Sequence, residues 1–299
     1  MALDLDDLAL LVRAAGAPSL AQAAEQLGIT PQIASRRLAR LEAALGVRLM
    51  QRTTRSLALT FEGEAFLPHA RQVIEAAEAA QAAVGGDRSP RGHLRVTAPV
   101  SFGHQVLSPL AAQLLAEHRD LRLDLHLSDD VIDLVERGID VAVRIAPGRS
   151  GPHPARRVAS NPLALVAAPG YLADRGTPRR LADLADHSCL RRTSAPSWSF
   201  LRSDGAPVNV TVEGALVSNA NEALRDGVVA GLGLGLHSLW DVGDLIAAGA
   251  LVRVDLSDAA PLPLSIWLVR PTGARTLGAN VAAFSELLAA TCRDLEQQL

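Results

Sequence analysis

The chain contains no lysine. All 29 of its basic residues are arginine, and against 32 acidic residues they leave a net charge of −3. That balance excludes polyanion binding over the whole surface and leaves room only for a local basic patch. Cysteine is almost as scarce. Cys189 and Cys292 lie far apart, which reads as two reduced, buried thiols in a cytoplasmic protein and not as a disulfide framework. No apolar run reaches the ~20 residues of a membrane span. The first turn carries Asp4, Asp6 and Asp7 with no basic leader, so neither a membrane partner nor a signal peptide is expected. Catalytic signatures are missing as well. No HExxH, CxxC, GxSxG or GxxxxGK(S/T) occurs, and His104, His118 and His126 lack ligand spacing. The glycines at 231–235 lack GxGxxG spacing and follow a predicted helix, so they read as a tight turn into a buried strand. These absences point away from an enzyme and imply no metal, no cofactor and no catalytic residue.

What is present is concentrated near the N-terminus. A first helix is predicted from about Asp4, with Leu5, Leu8 and Val12 inward. Residues 19–42, SLAQAAEQLGITPQIASRRLARLE, then read as two short helices. Ser19 with Gln22 forms a capping box, and Gly28 falls where the first of the two helices must stop. Thr30 caps the second, and Pro31 suits its first position, where a missing N–H costs nothing. Ala23 and Ala24 are small enough for the helices to cross closely. At ~100° per residue, Ala34, Leu38, Leu41 and Leu45 share an apolar stripe, while Gln32, Ser35, Arg36 and Arg40 share the opposite face. Arg37 lies between them. Such an outward set suits a DNA major groove, although on charge alone a solvated helix face is the favoured reading.

The residues that follow favour DNA. The runs 49–52 and 57–59 read as strands around a polar turn at 53–56, a β-wing that places Arg52, Thr53 and Arg55 beside phosphates. Between Thr30 and Ser56 six arginines face one acid, Glu42, a local charge of +5, whereas residues 1–63 sum to only +1. The paired Ala23-Ala24, Leu27-Gly28, Ser35-Arg36, Leu41-Glu42, Leu45-Gly46-Val47, Leu49, Arg52-Thr53, Leu59-Thr60 and Gly63 together resemble the N-terminal signature of LysR-type transcriptional regulators. Two departures are Pro18, where a glycine is usual, and the order Ile33-Ala34.

Further along, Phe66, Ala70, Val73, Ala77, Ala80 and Val84 repeat at spacings of four and three, a heptad seam that reads as a dimerisation stripe or as a helix packed on its own domain. Pro68 should kink or loosen its first turns. The resemblance makes this the linker helix that pairs two subunits. Residues 87–91 are a hinge by composition. Strands at 93–99, 121–127 and 140–145 alternate with helices at 106–118 and 131–138, which argues a parallel sheet covered on both faces. A second set follows, with strands at 163–168, 208–217, 232–237 and 264–269 and helices at 181–187, 221–230, 241–248 and 281–299.

The resemblance implies a fold class of α/β with an all-α-plus-wing N-terminal domain: a winged helix-turn-helix over 1–63, a linker helix over 64–86, the hinge, and a two-lobed periplasmic-binding-protein-like effector domain. Its first lobe takes 92–161 and returns over 266–299; its second takes 162–265, with crossovers near Asn161 and Leu264. In this family a turn like 97–103 holds effector groups, so Ser101, with Phe102 beside it, is the carried-over contact. A plain N-cap is its alternative. Ser128 and Asp129 end the second strand at the same level, where the family often places effector contacts, although Asp129 reads more readily as a cap for the next helix. Asn219 and Asn221 would face Ser101 across the cleft or cap a helix. His237 ends a strand, where a structural histidine is more usual than a ligand, and Trp198 lies in a predicted loop. Arg144 and the helix starts hint at an anionic effector such as a carboxylate. The resemblance further implies operator DNA, a homodimer or homotetramer, and indirect contact with RNA polymerase. The rival readings are an enzyme or sensor on the two-lobed portion with an accessory DNA-binding N-terminus, and an architectural DNA binder.

Overall fold

The computed structural model describes residues 3–52, 57–85, 89–149, 151–272 and 278–298. Within them the chain forms two compact units. One takes in the described residues up to Ser89 with Ile132–Ile139, and the other takes in Pro90–Val131 with Asp140–Leu299.

The first unit begins with α1 (Leu5–Ala14), α2 (Leu20–Gln26) and α3 (Pro31–Leu45). Asp4 caps α1 through the Asp6 N–H at 2.9 Å. Leu8, Leu10, Leu11 and Ala14 point into the core, while Leu5 is exposed and Val12 half-buried, so the inward face is rotated from the one expected. Ser19 accepts the Gln22 N–H at 3.2 Å, so its half of the capping box is formed. Gly28 takes a φ of +64° to turn the chain between α2 and α3, a backbone angle that side chains other than glycine's rarely tolerate. Thr30 accepts the Ile33 N–H at 3.4 Å, with Pro31 as the first helical residue. Ala23, Ala24, Ala34, Leu38 and Leu41 are buried between the helices.

The wing is a two-stranded antiparallel ribbon of β1 (Met50–Arg52) and β2 (Leu57–Leu59), with Met50 opposite Leu59. The Glu42 carboxylate holds its base by accepting the N–H groups of Leu49 and Met50 at 2.8 and 3.1 Å. Thr60 donates to the Arg48 carbonyl at 2.7 Å and accepts the Gly63 N–H at 3.0 Å, which joins the wing to α4 (Phe61–Gly85). A Cβ on Gly63 would lie 2.0 Å from the Leu49 carbonyl oxygen, so only glycine fits there. Helix α4 runs on through Pro68.

The heptad stripe on α4 needs correcting. Ala70 is buried within its own domain, and Phe66 packs on the same core together with Leu67 and Ile74. Three tight helices form a core large enough to take the first turns of α4, so these positions serve folding. Val73 and Ala80 stay exposed and Ala77 is half-buried. The Val84 side chain lies outside the described residues.

The second unit starts with β3 (Gly92–Ala98), α5 (Val100–Phe102), a π-helical turn over Gly103–Leu107, and α6 (Ser108–Glu117). Strands β4 (Leu121–Leu127), β5 (Val141–Ala146) and β6 (Ala155–Asn161) complete the first lobe's outgoing path. The second lobe carries β7 (Leu163–Ala167), α7 (Pro169–Arg175), a 3-10 helix over Leu181–Asp186, β8 (Cys189–Arg192), β9 (Ser197–Arg202), β10 (Pro207–Thr211), β11 (Val217–Ser218), α8 (Asn221–Val229), β12 (Leu234–Ser238), α9 (Leu239–Ala247), β13 (Val252–Arg253) and β14 (Ala259–Pro261). The chain returns on β15 (Leu264–Val269) and ends with α10 (Ala279–Gln298).

Each lobe is built on a five-stranded sheet, ordered β4-β3-β5-β15-β6 and β11-β8-β12-β7-β13, and β10-β9-β14 forms a small third sheet. The sheets are mixed, not parallel as expected. Strand β3 runs parallel to β4 and β5, but β15 pairs antiparallel with β5 and β6 because it re-enters from the other lobe. No helix forms over 131–138; the segment is a turn capped by Asp133, whose carboxylate accepts the Val135 and Glu136 N–H groups, and stopped by Gly138 at φ +60°. Trp198 lies on β9, buried in the second lobe's core, and not in a loop.

The first crossover is fastened. Asn161 is fully buried, donates to Ser238 Oγ at 2.9 Å and accepts the Trp240 indole N–H at 2.6 Å. Cys189 and Cys292 are free and buried, and burial pushes both thiols up to about 12. Because thiolates are the reactive form, both should resist a thiol reagent at pH 8 in the native protein and react fully in denaturant. Native labelling within about tenfold of the denatured rate would contradict this burial.

Candidate functional site

On the first unit the outward face of α3 carries Gln32 and Arg36, both exposed, and Ser35, half-buried. Among the described residues Arg36 makes no ion pair. The other two arginines of the helix are engaged by α1. Arg37 bonds Asp6 at 2.7 Å. Arg40 grips Asp7 with Nε and Nη2, each at 2.6 Å, and reaches Asp4 at 2.9 Å. Asp7 is 2% exposed, and its hydrogen bond is the main cause that raises the Arg40 pKa. The fork-to-fork geometry is the strong form of this contact. Arg40 therefore positions α3 against α1 and does not offer a free guanidinium, a role that its place on the outward face did not reveal. The signal was in the sequence, in Asp4, Asp6 and Asp7, but sequence distance hid it: folding brings the acids of the chain start onto the +5 segment. Arg52 lies on the wing with its side chain outside the described residues, and Thr53 and Arg55 lie outside them entirely.

On the second unit the turn after β3 is buried and short of partners. Thr97 is fully buried and Ser101 is 4% exposed, and neither hydroxyl finds a hydrogen-bond partner among the described residues. The N-cap reading of Ser101 does not hold, because Pro99 occupies that position and makes no side-chain cap bond. A buried hydroxyl left unmade costs about 1–3 kcal/mol, so such groups mark a place built for something polar. Phe102 is fully buried and meets Trp240 edge-on, with ring centroids 5.2 Å apart, so it braces the two lobes from behind the turn. Ser128 donates its N–H to the Ala98 carbonyl at 2.9 Å, which ties the second strand's end to the first. Asp129 accepts the Val100 N–H at 3.3 Å and stands 3.8 Å from Arg192 of the second lobe. It caps no following helix, since none forms over 130–140; the N–H it accepts is the first of α5. Burial lowers the Arg144 pKa, and Asp129 is the charge that opposes this.

Of the residues expected opposite Ser101, Asn221 heads α8, which packs against α5, the helix that carries Ser101. Asn221 donates to Asp241 at 2.9 Å, and His237 Nδ1 lies 3.2 Å from the same carboxylate. Neither Asn219 nor Asn221 caps α8, whose N-cap is Ala220. Asn219 is exposed in the bend before α8. Asp241 also accepts Arg225 at 2.9 Å and, across the lobes, Gln105 of the π-helical turn at 2.6 Å. Its side chain is fully buried. Burial pushes its pKa up, but the hydrogen bond and charge of His237, with Arg225 and Gln105, outweigh it and hold the carboxyl below its usual value. Asn221 and His237 thus build a polar hub that joins the lobes. The sequence reading missed Asp241, Arg225 and Gln105, which sit on three separate elements with no local motif. The turn at 231–235 is as expected: Gly231 has φ +79°, and a Cβ on Gly233 would meet the Ser188 carbonyl oxygen at 2.1 Å.

Among the described residues no cluster of His, Cys, Asp or Glu could hold a metal ion, and no helix is long and apolar enough to cross a membrane.

This arrangement agrees with comparisons to known proteins. Residues 5–64 match the profile of the bacterial regulatory helix-turn-helix protein, lysR family, and residues 87–293 match the LysR substrate binding domain. The chain is 34% identical over 270 residues to the HTH-type transcriptional regulator DmlR of Escherichia coli strain K12, covering 89% of this chain and 87% of that one. It is 31% identical over 293 residues to the HTH-type transcriptional activator TtdR of Escherichia coli strain UTI89, covering 96% and 93%. Among solved structures, CrgA, a LysR-type transcriptional regulator from Neisseria meningitidis, superposes with a TM-score of 0.60 at 29% identity, covering 96% of this chain and 98% of that one. A DNA-binding helix-turn-helix unit joined to a two-lobed effector-binding domain, across nearly the full length of these relatives, places the chain in the LysR family of transcriptional regulators.

Proposed function

We propose that α3 reads operator DNA through Gln32, Ser35 and Arg36, with Ser19, Thr30 and Pro31 setting the helix ends and Arg52, Thr53 and Arg55 of the wing on flanking phosphates. Arg40 keeps α3 at its angle to α1. The carrying observation is Arg36, exposed on a capped helix whose other arginines are already paired. The exposed part of α4, Val73 and Ala80 with Ala77 between them, pairs two subunits into a homodimer that reads a roughly palindromic site, and pairs of dimers form the homotetramer. The protein works in the cytoplasm, performs no catalysis, and acts on RNA polymerase through the bend and spacing of bound DNA.

The effector enters between the lobes and bonds Thr97 and Ser101, with the Ser128-Asp129 turn at its edge. It controls DNA binding only through unequal affinity for two lobe arrangements. The test of the cleft is Ser101→Ala in the full chain. The response is read as the ratio of operator affinities with and without a stabilising ligand, found by thermal shift against small acids and aromatics. Loss of one buried hydrogen bond should cut ligand affinity by roughly tenfold. An undiminished response would remove Ser101 from the site.

A further inference from the structure

Asp129 is held in an unusual way. Its Oδ1 accepts the Val100 N–H at a long 3.3 Å, and its Oδ2 stands 3.8 Å from Arg192 Nη2, beyond hydrogen-bond reach. The same chain forms an arginine–carboxylate contact with two bonds of 2.6 Å when geometry allows it, at Arg40 and Asp7. Arg192 Nε is buried and has no partner among the described residues. Two hydroxyls nearby on the first strand and its turn, Thr97 and Ser101, are buried and without partners as well. A carboxylate with charge on its side but poor geometry therefore sits beside donors that lack an acceptor.

We infer that Asp129 is an internal stand-in for the effector: the effector is an anion whose carboxylate or similar group displaces Asp129 from Arg192. This rests on the reading that the Ser101 turn belongs to the effector site. The exchange is favourable on charge grounds because one anion replaces another, so the guanidinium is never left bare in a partly buried place. It is favourable on geometric grounds because a free carboxylate can meet an arginine fork at about 2.7–2.9 Å, while Asp129 is tethered by its backbone. Arg144 gains as well, since Asp129 is the charge that offsets its burial and the incoming anion takes over that part. Asp129 belongs to the first lobe and Arg192 to the second. Displacement therefore breaks an interlobe attraction and replaces it with one that runs through the ligand, which gives the anion different affinities for the two lobe arrangements.

The experiment uses the full chain and three variants, Asp129→Asn, Asp129→Ser and Asp129→Asn with Arg192→Met. Each is titrated with acetate and with sulfate at constant ionic strength, with chloride as reference, and read by thermal shift. With the internal anion removed, both single variants should be stabilised by the oxyanions at concentrations roughly tenfold lower than the wild type needs, as expected for loss of a like charge a few ångströms away. The double variant should lose that gain. Equal or weaker response in the single variants overturns the proposal and makes Asp129 an acceptor for the effector. A gain that survives Arg192→Met also overturns it. If Asp129→Asn gains nothing while Ser101→Ala still loses its effector response, the anion inference fails and the cleft reading stands. If Ser101→Ala responds normally, the cleft reading itself fails.

Discussion

Replacing Arg36 by alanine should abolish retention of operator DNA in a gel shift at moderate salt while leaving the melting temperature unchanged. The guanidinium is exposed and unpaired among the described residues, so nothing in the fold depends on it. A bidentate base contact contributes about 1–3 kcal/mol, and a symmetric dimer loses two. The expected loss of affinity is therefore on the order of a hundredfold or more. Arg40→Ala makes the contrast. It removes the partner of Asp7, which is 2% exposed, so it should lower stability as well as DNA affinity. The salt dependence separates two kinds of contact for Arg36. If it reads a base, the salt slope stays near the wild-type value; if it holds a phosphate, the slope falls by about two, one for each copy in the dimer. Unchanged operator affinity would remove α3 from the interface.

The second large effect is on stability. Asp241→Ala should destabilise the effector domain by about 3–5 kcal/mol, the range for breaking a buried pair by removing one partner. Arg225, His237, Asn221 and Gln105 would all lose their acceptor at once. Asp241→Asn keeps the shape and part of the hydrogen bonding and should lose less. The wild type's own pH dependence has a fixed sign here. The Asp241 pKa is depressed in the folded chain, so its contribution is present above its ordinary value of 3.8 and is lost as pH falls below that toward the folded value. Asp140 works with the opposite sign: burial raises its pKa, outweighing the Arg95 N–H it accepts, so its protonation in weak acid favours the folded state. Urea melts of the wild type and Asp241→Asn between pH 3 and 6 check this. The wild type should lose its advantage over Asp241→Asn toward the acid end, and a constant difference would deny Asp241 this role.

How legible the chain was depended on how local each signal is. The caps at Ser19 and Thr30, the stop at Gly28 and the inward Ala34, Leu38 and Leu41 of α3 are set by neighbours three or four residues away, and they stand where the sequence puts them. The wing pairing was legible for the same reason. Contacts at long sequence separation were not. Arg40 looked free because Asp7 is 33 residues away, and the Asp241 hub draws on residues as far as Gln105, 136 residues away. On α4 a heptad pattern reports that a face is apolar, and cannot tell whether its own domain or a second subunit covers it; Phe66 and Ala70 turn out to pack on their own domain. The mixed sheets escaped because β6 carries arginines at 156 and 157 and shows no clean alternation, and because the direction of β15 depends on the crossover.

The central claim is that one face of α3, used twice by a dimer, selects a sequence. Incubating the full-length protein with a pool of random duplexes and sequencing the retained fraction tests this most directly. The account predicts a two-fold-symmetric motif enriched by the wild type and absent with Arg36→Ala. Retention without any enriched motif, or the same motif from both proteins, would contradict it.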